Sequence, residues 1–312
     1  FASLIQALGN RVVKGGMHRL PLALAAYLRS KGGQIRTGAR VSKIVMKDGR
    51  AVAVRLTDGE EIGVRQVVAA STDPRQLVVD FLGEAHVGGD LVRRMQRYEW
   101  GDAYLAIYLA LDGPLTYQAG ADAGRSPYVH PTPPTLEYFS RIYSECRSGQ
   151  LPAAPLMLMC NDSAIDPGRA PSGKAVMKLV VLNVPYDIKG DATRKIAGRT
   201  WDEAKEAYAD HLIDMVADSC VPGLQNLILK RVVHSPIDME RAIPSAVRGT
   251  VTHGASWPYQ SGEQRPIPGL GHYRMPVPNV YLCGSGAHPG GGVSMAPGRN
   301  AAHVILAELE AY

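Results

Sequence analysis

The sequence predicts an α/β framework with an α+β block set into it, folded as two lobes. Three observations carry this. Near the C-terminus an apolar run, Val280-Tyr281-Leu282, enters "CGSGAHPGGGVSMAPGRN" (283–300), which holds six of the chain's 33 glycines and leads into the helical pattern "AAHVILAELEAY". Val67-Val68-Ala69-Ala70 is a continuous apolar run of the kind found deep in a sheet. Between about 73 and 235, apolar strands and interposed helices follow the pattern of an α+β block on a mostly antiparallel sheet.

Each element follows from its own pattern. The chain opens at Phe1 inside a helical stretch, "FASLIQALGN", which reads as the start of a fragment. Met17, Leu20, Leu24, Ala25 and Leu28 are spaced for one helix face, and Gly32 and Gly33 stop that helix. Residues 34–71 alternate as strands. Asp48-Gly49 lies between two alternating runs, a hairpin signal, and Asp58-Gly59 marks a second turn. Short helices are expected near 74–81 and 89–97. Strands are expected at 103–111, 155–160, 175–184 and 227–234, with longer helices near 135–148 and 200–219. Thr200 and Glu203 form a capping box at the start of the second long helix. Pro/Gly-rich loops fill 112–134 and 184–199, and after Pro236 the chain is loop-rich up to the last strand.

Composition excludes several classes of function. Apolar residues make up 46% and charged residues 20%, which is ordinary for a globular protein, and the net charge is a mild +5. The basic residues are scattered and no aromatics interleave with them, so no nucleic-acid partner is read. No apolar run is long enough for a transmembrane segment. Cys146, Cys160, Cys220 and Cys283 form no Cys-x-x-Cys pair. They point to reduced thiols in a cytoplasmic setting, with no metal site.

The stretch "NVYLCGSGAHPGGGVSMAPGRNAAHVI" resembles the C-terminal signature of FAD-dependent phytoene desaturase-like oxidoreductases, nearest the branch of pyridine nucleotide-disulfide oxidoreductase domain-containing protein 2. Residues 15–71 are similar to that family's mid-chain return into its FAD domain, and "HGASWPYQSGEQRPIPGLGHYRMPVP" to its approach to the last strand. The resemblance implies that 1–72 and 236–312 are the C-terminal portion of an FAD/NAD(P)-binding Rossmann-type domain, and that 73–235 are an inserted substrate domain. The family's opening Gly-x-Gly-x-x-Gly turn, which grips the FAD pyrophosphate, is absent.

By the same resemblance, Val41 contacts adenine through its backbone. Gly284, Ser285 and Gly286 approach the ribityl and pyrophosphate part of FAD. Gly291, Gly292, Val293 and Ser294 place the last helix's N-terminus at the flavin's pyrimidine edge, where it stabilises the negative charge gained on reduction. Each has a plainer alternative: a core valine at 41, a tight turn at 284–286. His288 faces flavin or substrate, or caps a loop. His253, Trp257 and Tyr259 line a substrate pocket, or pack as aromatics at a domain seam.

The function implied is that of an FAD-dependent oxidoreductase moving a hydride from a C–H bond of a small apolar or amphipathic substrate to flavin, and no catalytic acid–base pair stands out. An interaction module on the same fold is the alternative. A serine hydrolase is a remote one, because "GVSMA" around Ser294 is close to Gly-x-Ser-x-Gly with only His303 downstream. With the pyrophosphate grip absent, this chain is expected to bind FAD weakly or not at all. Apolar sheet bared at 67–70 and 280–282 leaves homodimerisation, or association with an N-terminal half, as partners.

Overall fold

The computed structural model describes residues 12–131 and 135–310; the helix expected over 1–10 lies outside them. In chain order the elements are α1 (Arg19–Ser30), β1 (Val41–Lys47), β2 (Arg50–Leu56), β3 (Glu61–Gly63), β4 (Val68–Ala70), a π-helical stretch Gln76–Leu82, α2 (Gly89–Gln96) and β5 (Ala103–Leu111). Then come β6 (Tyr128–Val129), α3 (Leu136–Arg147), β7 (Met157–Cys160), β8 (Ala175–Val184), α4 (Trp201–Ser219), β9 (Ile228–His234), α5 (Pro236–Ala242), β10 (Val280–Leu282) and α6 (Ala296–Glu310). Among the described residues no helix is long and apolar enough to cross a membrane.

The chain forms two compact units, one of residues up to 37 with 105–234, the other of 38–104 with 235 onwards. In the first, a five-stranded sheet runs in the order β9-β5-β8-β7-β6. β9 pairs antiparallel with β5, and β7 pairs antiparallel with β8 and with β6. Alternation sorts its faces. Leu105, Ile107, Leu109 and Leu111 of β5 and Met177, Leu179 and Val181 of β8 are buried. Helix α3 packs on β8 and α4 on β9. Arg231 of β9 ion-pairs with Glu206 of α4 at 3.0 Å and with Asp210, which places α4 on that side. The capping box forms: Glu203 Oε2 accepts the Thr200 N–H at 3.2 Å.

The second unit contains the antiparallel sheet β1-β2-β3 and the parallel pair β4–β10. Asp48 and Gly49 both take left-handed backbone (φ 49° and 75°), as a two-residue hairpin turn requires. Asn279 ties the sheets together. Its Oδ1 accepts the Ala51 N–H and its Nδ2 donates to Ala51 O, both at 2.9 Å.

Two expectations are corrected, for β4 and for Val280–Leu282, and the chain's compact units have their own boundaries. The compact units do not divide at 72/73. Leu77, Val78, Leu82, Met95 and Tyr98 share a core with Val280 and Leu282, so residues 73–104 pack in the second unit. Residues up to 37 group with the first unit instead, where Gly15 N–H donates to Asp166 Oδ2 at 2.6 Å. β4 is not deep in a sheet; β10 is its one strand partner among the described residues, and Ala69 is exposed. Val280–Leu282 is not bared: all three residues are buried, and the 273–275 segment covers the other edge through Leu282 N–H to Tyr273 O at 2.7 Å and Met275 N–H to Val280 O at 2.9 Å. Helix α1 forms where its spacing places it, yet none of its residues is buried.

Candidate functional site

Parallel pairing of β4 with β10 brings the ends of both strands together, and the Cys283 N–H continues the ladder to Ala70 O at 2.8 Å. The two glycines that follow are required by close packing. A Cβ on Gly284 would lie 2.6 Å from Ser71 O, and one on Gly286 would lie 2.3 Å from Pro74 Cγ. Their first role is therefore to let the glycine segment lie against the chain's own 71–74 turn.

That turn is built by Asp73, which is fully buried. Its Oδ1 accepts the N–H groups of Arg75 (2.9 Å) and Gln76 (3.1 Å), capping the π-helical stretch, and its Oδ2 accepts Trp100 Nε1–H at 2.9 Å. Burial raises its pKa above the ordinary carboxylate value, and these hydrogen bonds oppose the rise. Arg265, only 2% exposed, holds the segment from the other side. Its guanidinium donates to Ser285 O from both Nε (3.1 Å) and Nη2 (2.9 Å), to Ala255 O (3.1 Å) and to Thr252 O. Burial lowers its pKa, while Tyr98 and Asp73 act against that.

Beyond this clamp the chain opens out. Residues 291–295 are exposed and lead directly into α6. Gly290 and Gly292 take positive φ (103° and 123°), and so do Val293 (57°) and Met295 (59°), where an L side chain is strained. Val293 combines that backbone with 70% exposure, which no local packing explains. The first turn of α6 lies just after it, where Pro297 carries no N–H and the Arg299 N–H already donates to Met295 O at 3.1 Å. Ser294 Oγ accepts the Ala296 N–H at 3.3 Å, a helix-capping contact rather than the hydrogen bond to a base that a nucleophilic serine needs.

The other sequence-predicted residues fall into two groups. His253 stands with the glycine segment, since a Cβ on Gly286 would be 3.3 Å from His253 O, and its neighbour Thr252, which the sequence did not single out, would touch a Cβ on Gly291. His253 has left-handed backbone (φ 48°), and its Nδ1 is buried without a partner, as is Nδ1 of His288. Burial, then the Arg265 charge, holds the His253 pKa below its ordinary value, so the ring is neutral. Trp257 and Tyr259 instead converge on Glu99, with Nε1–H to Oε2 at 3.0 Å and OH to Oε1 at 2.7 Å, so both polar ends are committed. Val41 stands at the start of β1 opposite Leu56, on a different sheet from the glycine segment.

Asp73 and Arg265 are the residues that sequence reasoning missed. Asp73 carried a legible signal, an Asp-Pro pair before an apolar run, which marks a cap. Arg265 carried none, because a lone arginine in a proline-rich loop reads as surface. The arrangement offers one wall of a polar site: the positive dipole end of α6, a strained exposed loop before it, and two unpartnered imidazole nitrogens nearby.

Residues 3–306 match the family described as flavin containing amine oxidoreductase. The chain is 34% identical over 307 residues to pyridine nucleotide-disulfide oxidoreductase domain-containing protein 2 of Mus musculus, covering 96% of this chain and 51% of that protein. It is 28% identical to a hydroxyneurosporene desaturase of Cereibacter sphaeroides, over 97% of this chain and 55% of that one. The chain thus spans about half the length of these curated relatives. The crystal structure of an oxidoreductase from Methanosarcina mazei superposes with a TM-score of 0.56 at 16% identity, covering 95% of this chain and 55% of that one, a likeness of fold.

Proposed function

This chain belongs to the flavin containing amine oxidoreductase family, and from that premise we propose that the whole protein is an FAD-dependent oxidoreductase acting on a C–H bond of an apolar or amphipathic substrate. The observation that carries this reading is the strained, exposed loop 291–295 running straight into the N-terminus of α6. Bound there, FAD supplies the hydride acceptor. Gly291, Gly292, Val293 and Ser294 hold the loop open so that the positive end of the α6 dipole would face negative charge at the flavin's pyrimidine edge. Gly284, Ser285 and Gly286, fixed by Arg265, shape the wall beneath the ribityl chain. Val41 belongs to this proposal through its backbone alone, and His253 and His288 through their unpartnered Nδ1 atoms.

The pyrophosphate grip is not in this chain, so the isolated chain binds FAD weakly and a complementary N-terminal half restores tight binding. Association with such a half, or with a second copy, is supported by the uncovered α1 and the half-open β4. Visible flavin absorbance of the purified chain, alone and with that half, tests the reading. A yellow preparation of the isolated chain with stoichiometric FAD would show that the cofactor wall has been misplaced. A colourless reconstituted protein that reduces no flavin with any C–H donor would favour an interaction module on this fold.

A further inference from the structure

We propose that the open face of the five-stranded sheet binds an anionic amphiphile, its apolar chain lying on Tyr108, Val176 and Val232 and its anionic head, carboxylate or phosphate, meeting Lys178, Lys230 and Arg169. The register places these residues together. Val232 lies opposite Tyr108 and Lys230 opposite Ala110, so all four point away from the helix-covered face that holds Leu109 and Arg231. On β8, Val176 and Lys178 alternate with buried Ala175, Met177 and Leu179, and Lys178 lies opposite Cys160 of β7. Together they line a cavity of about 360 Å³. That is at the small end of ligand sites, which run from roughly 300 to 1,000 Å³, so it suits a head group and the first carbons of a chain.

Its charge is unbalanced. Arg169 is paired with Asp162 at 3.1 Å, and Arg231 is committed to Glu206 and Asp210 of α4. Neither Lys178 nor Lys230 has an ion-pair partner among the described residues, and Lys178 is half-buried. A half-buried ammonium without a counter-ion calls for an anion, since burial of an unpaired charge is unfavourable. The Cys160 thiol at the cavity wall is pushed up by burial, the Lys178 charge acts against the rise and the Asp162 carboxylate, already paired with Arg169, adds to it. Beside the lysines the floor is apolar and open: Tyr108 is 44% and Val232 46% exposed. A cationic end joined to an apolar open face is complementary to an amphiphile with one negative head. That this ligand is also the oxidised substrate rests on the flavin reading above; its binding does not.

The test is calorimetric titration of the 312-residue chain with dodecanoate, dodecyl phosphate and 1-dodecanol, each below its aggregation threshold and at low salt. At least one anion is expected to bind about tenfold or more tighter than the alcohol, and preference between the two anions assigns the head group. K178E/K230E should lose about tenfold or more for the anion and leave the alcohol unchanged, while K178R/K230R retains binding. Equal affinity for alcohol and anion, or an unchanged anion affinity in K178E/K230E, overturns the proposal. Should that variant fail to fold, the unmodified chain decides: raising salt from about 0.05 to 0.5 M should weaken the anion several-fold and not the alcohol, and no salt effect overturns the proposal. No flavin is read in this assay, so its failure and that of the cofactor reading are separate results.

Discussion

The five-stranded sheet of the first unit and the loop-rich second unit solve the same burial problem differently. In the first, strands satisfy their own backbone groups, and alternation delivers apolar side chains such as Leu105, Ile107, Leu109 and Leu111 to one face. In the second, long Pro/Gly segments leave carbonyl and N–H groups without ladder partners. Buried polar side chains answer them: Arg265 to Thr252, Ala255 and Ser285; Asn279 to Ala51 and Gln66; Gln260 to Glu99 and Ala255. Where secondary structure is sparse, the core must import polar residues to satisfy the backbone, and the candidate site is built on such a core.

Breaking that polar clamp is the largest effect we predict. Arg265→Ala orphans several buried carbonyls, each worth roughly 1–3 kcal/mol, so the second unit should lose on the order of 5 kcal/mol. Urea unfolding read by Trp100 and Trp257 would show it, and a loss under about 1 kcal/mol would refute the role given to Arg265. Next is the apolar counterpart: Leu179→Ala at a fully buried position of β8 should destabilise the first unit by about 3 kcal/mol. Trp201, in that unit, reports it. If the Arg265 substitution proves the milder of the two, the contrast between the units fails.

Asn279→Ala should cost about 2 kcal/mol, because it strands the Ala51 N–H and O between two sheets. Amide exchange at Ala51 is the direct readout, and unchanged protection there would count against the bridge. The smallest effect is a pH slope. Burial holds the folded His253 pKa below the ordinary value of about 6.5, so the folded state takes up a proton less readily than the unfolded chain. The stability this site contributes is full above about pH 6.5 and is lost as pH falls through the lower folded value. His253→Asn, which tolerates the left-handed backbone, should flatten the stability profile over that acidic window. A slope identical in both proteins would show that His253 does not titrate there.

Local chemistry in the sequence by itself determined the elements. Asp48-Gly49 could only turn a hairpin, Thr200 and Glu203 could only cap α4, and the alternation of β5, β8 and β9 placed one face inward and left Tyr108, Lys178 and Lys230 on the other. The glycine segment between β10 and α6 was legible for the same reason, since each feature rests on neighbours within a few residues. The tertiary structure alone decided what depends on distant residues. It moved 73–104 into the second unit, because Leu77, Leu82 and Met95 complete a core with Val280 and Leu282. It gave Gly284 and Gly286 their first purpose, clearance for Ser71 and Pro74, and it turned Arg265 from a loop arginine into the clamp on Ser285. Burial, close approach and the pairing of loop carbonyls arise between segments some 20 to 200 residues apart, and no periodicity or spacing in the chain encodes them.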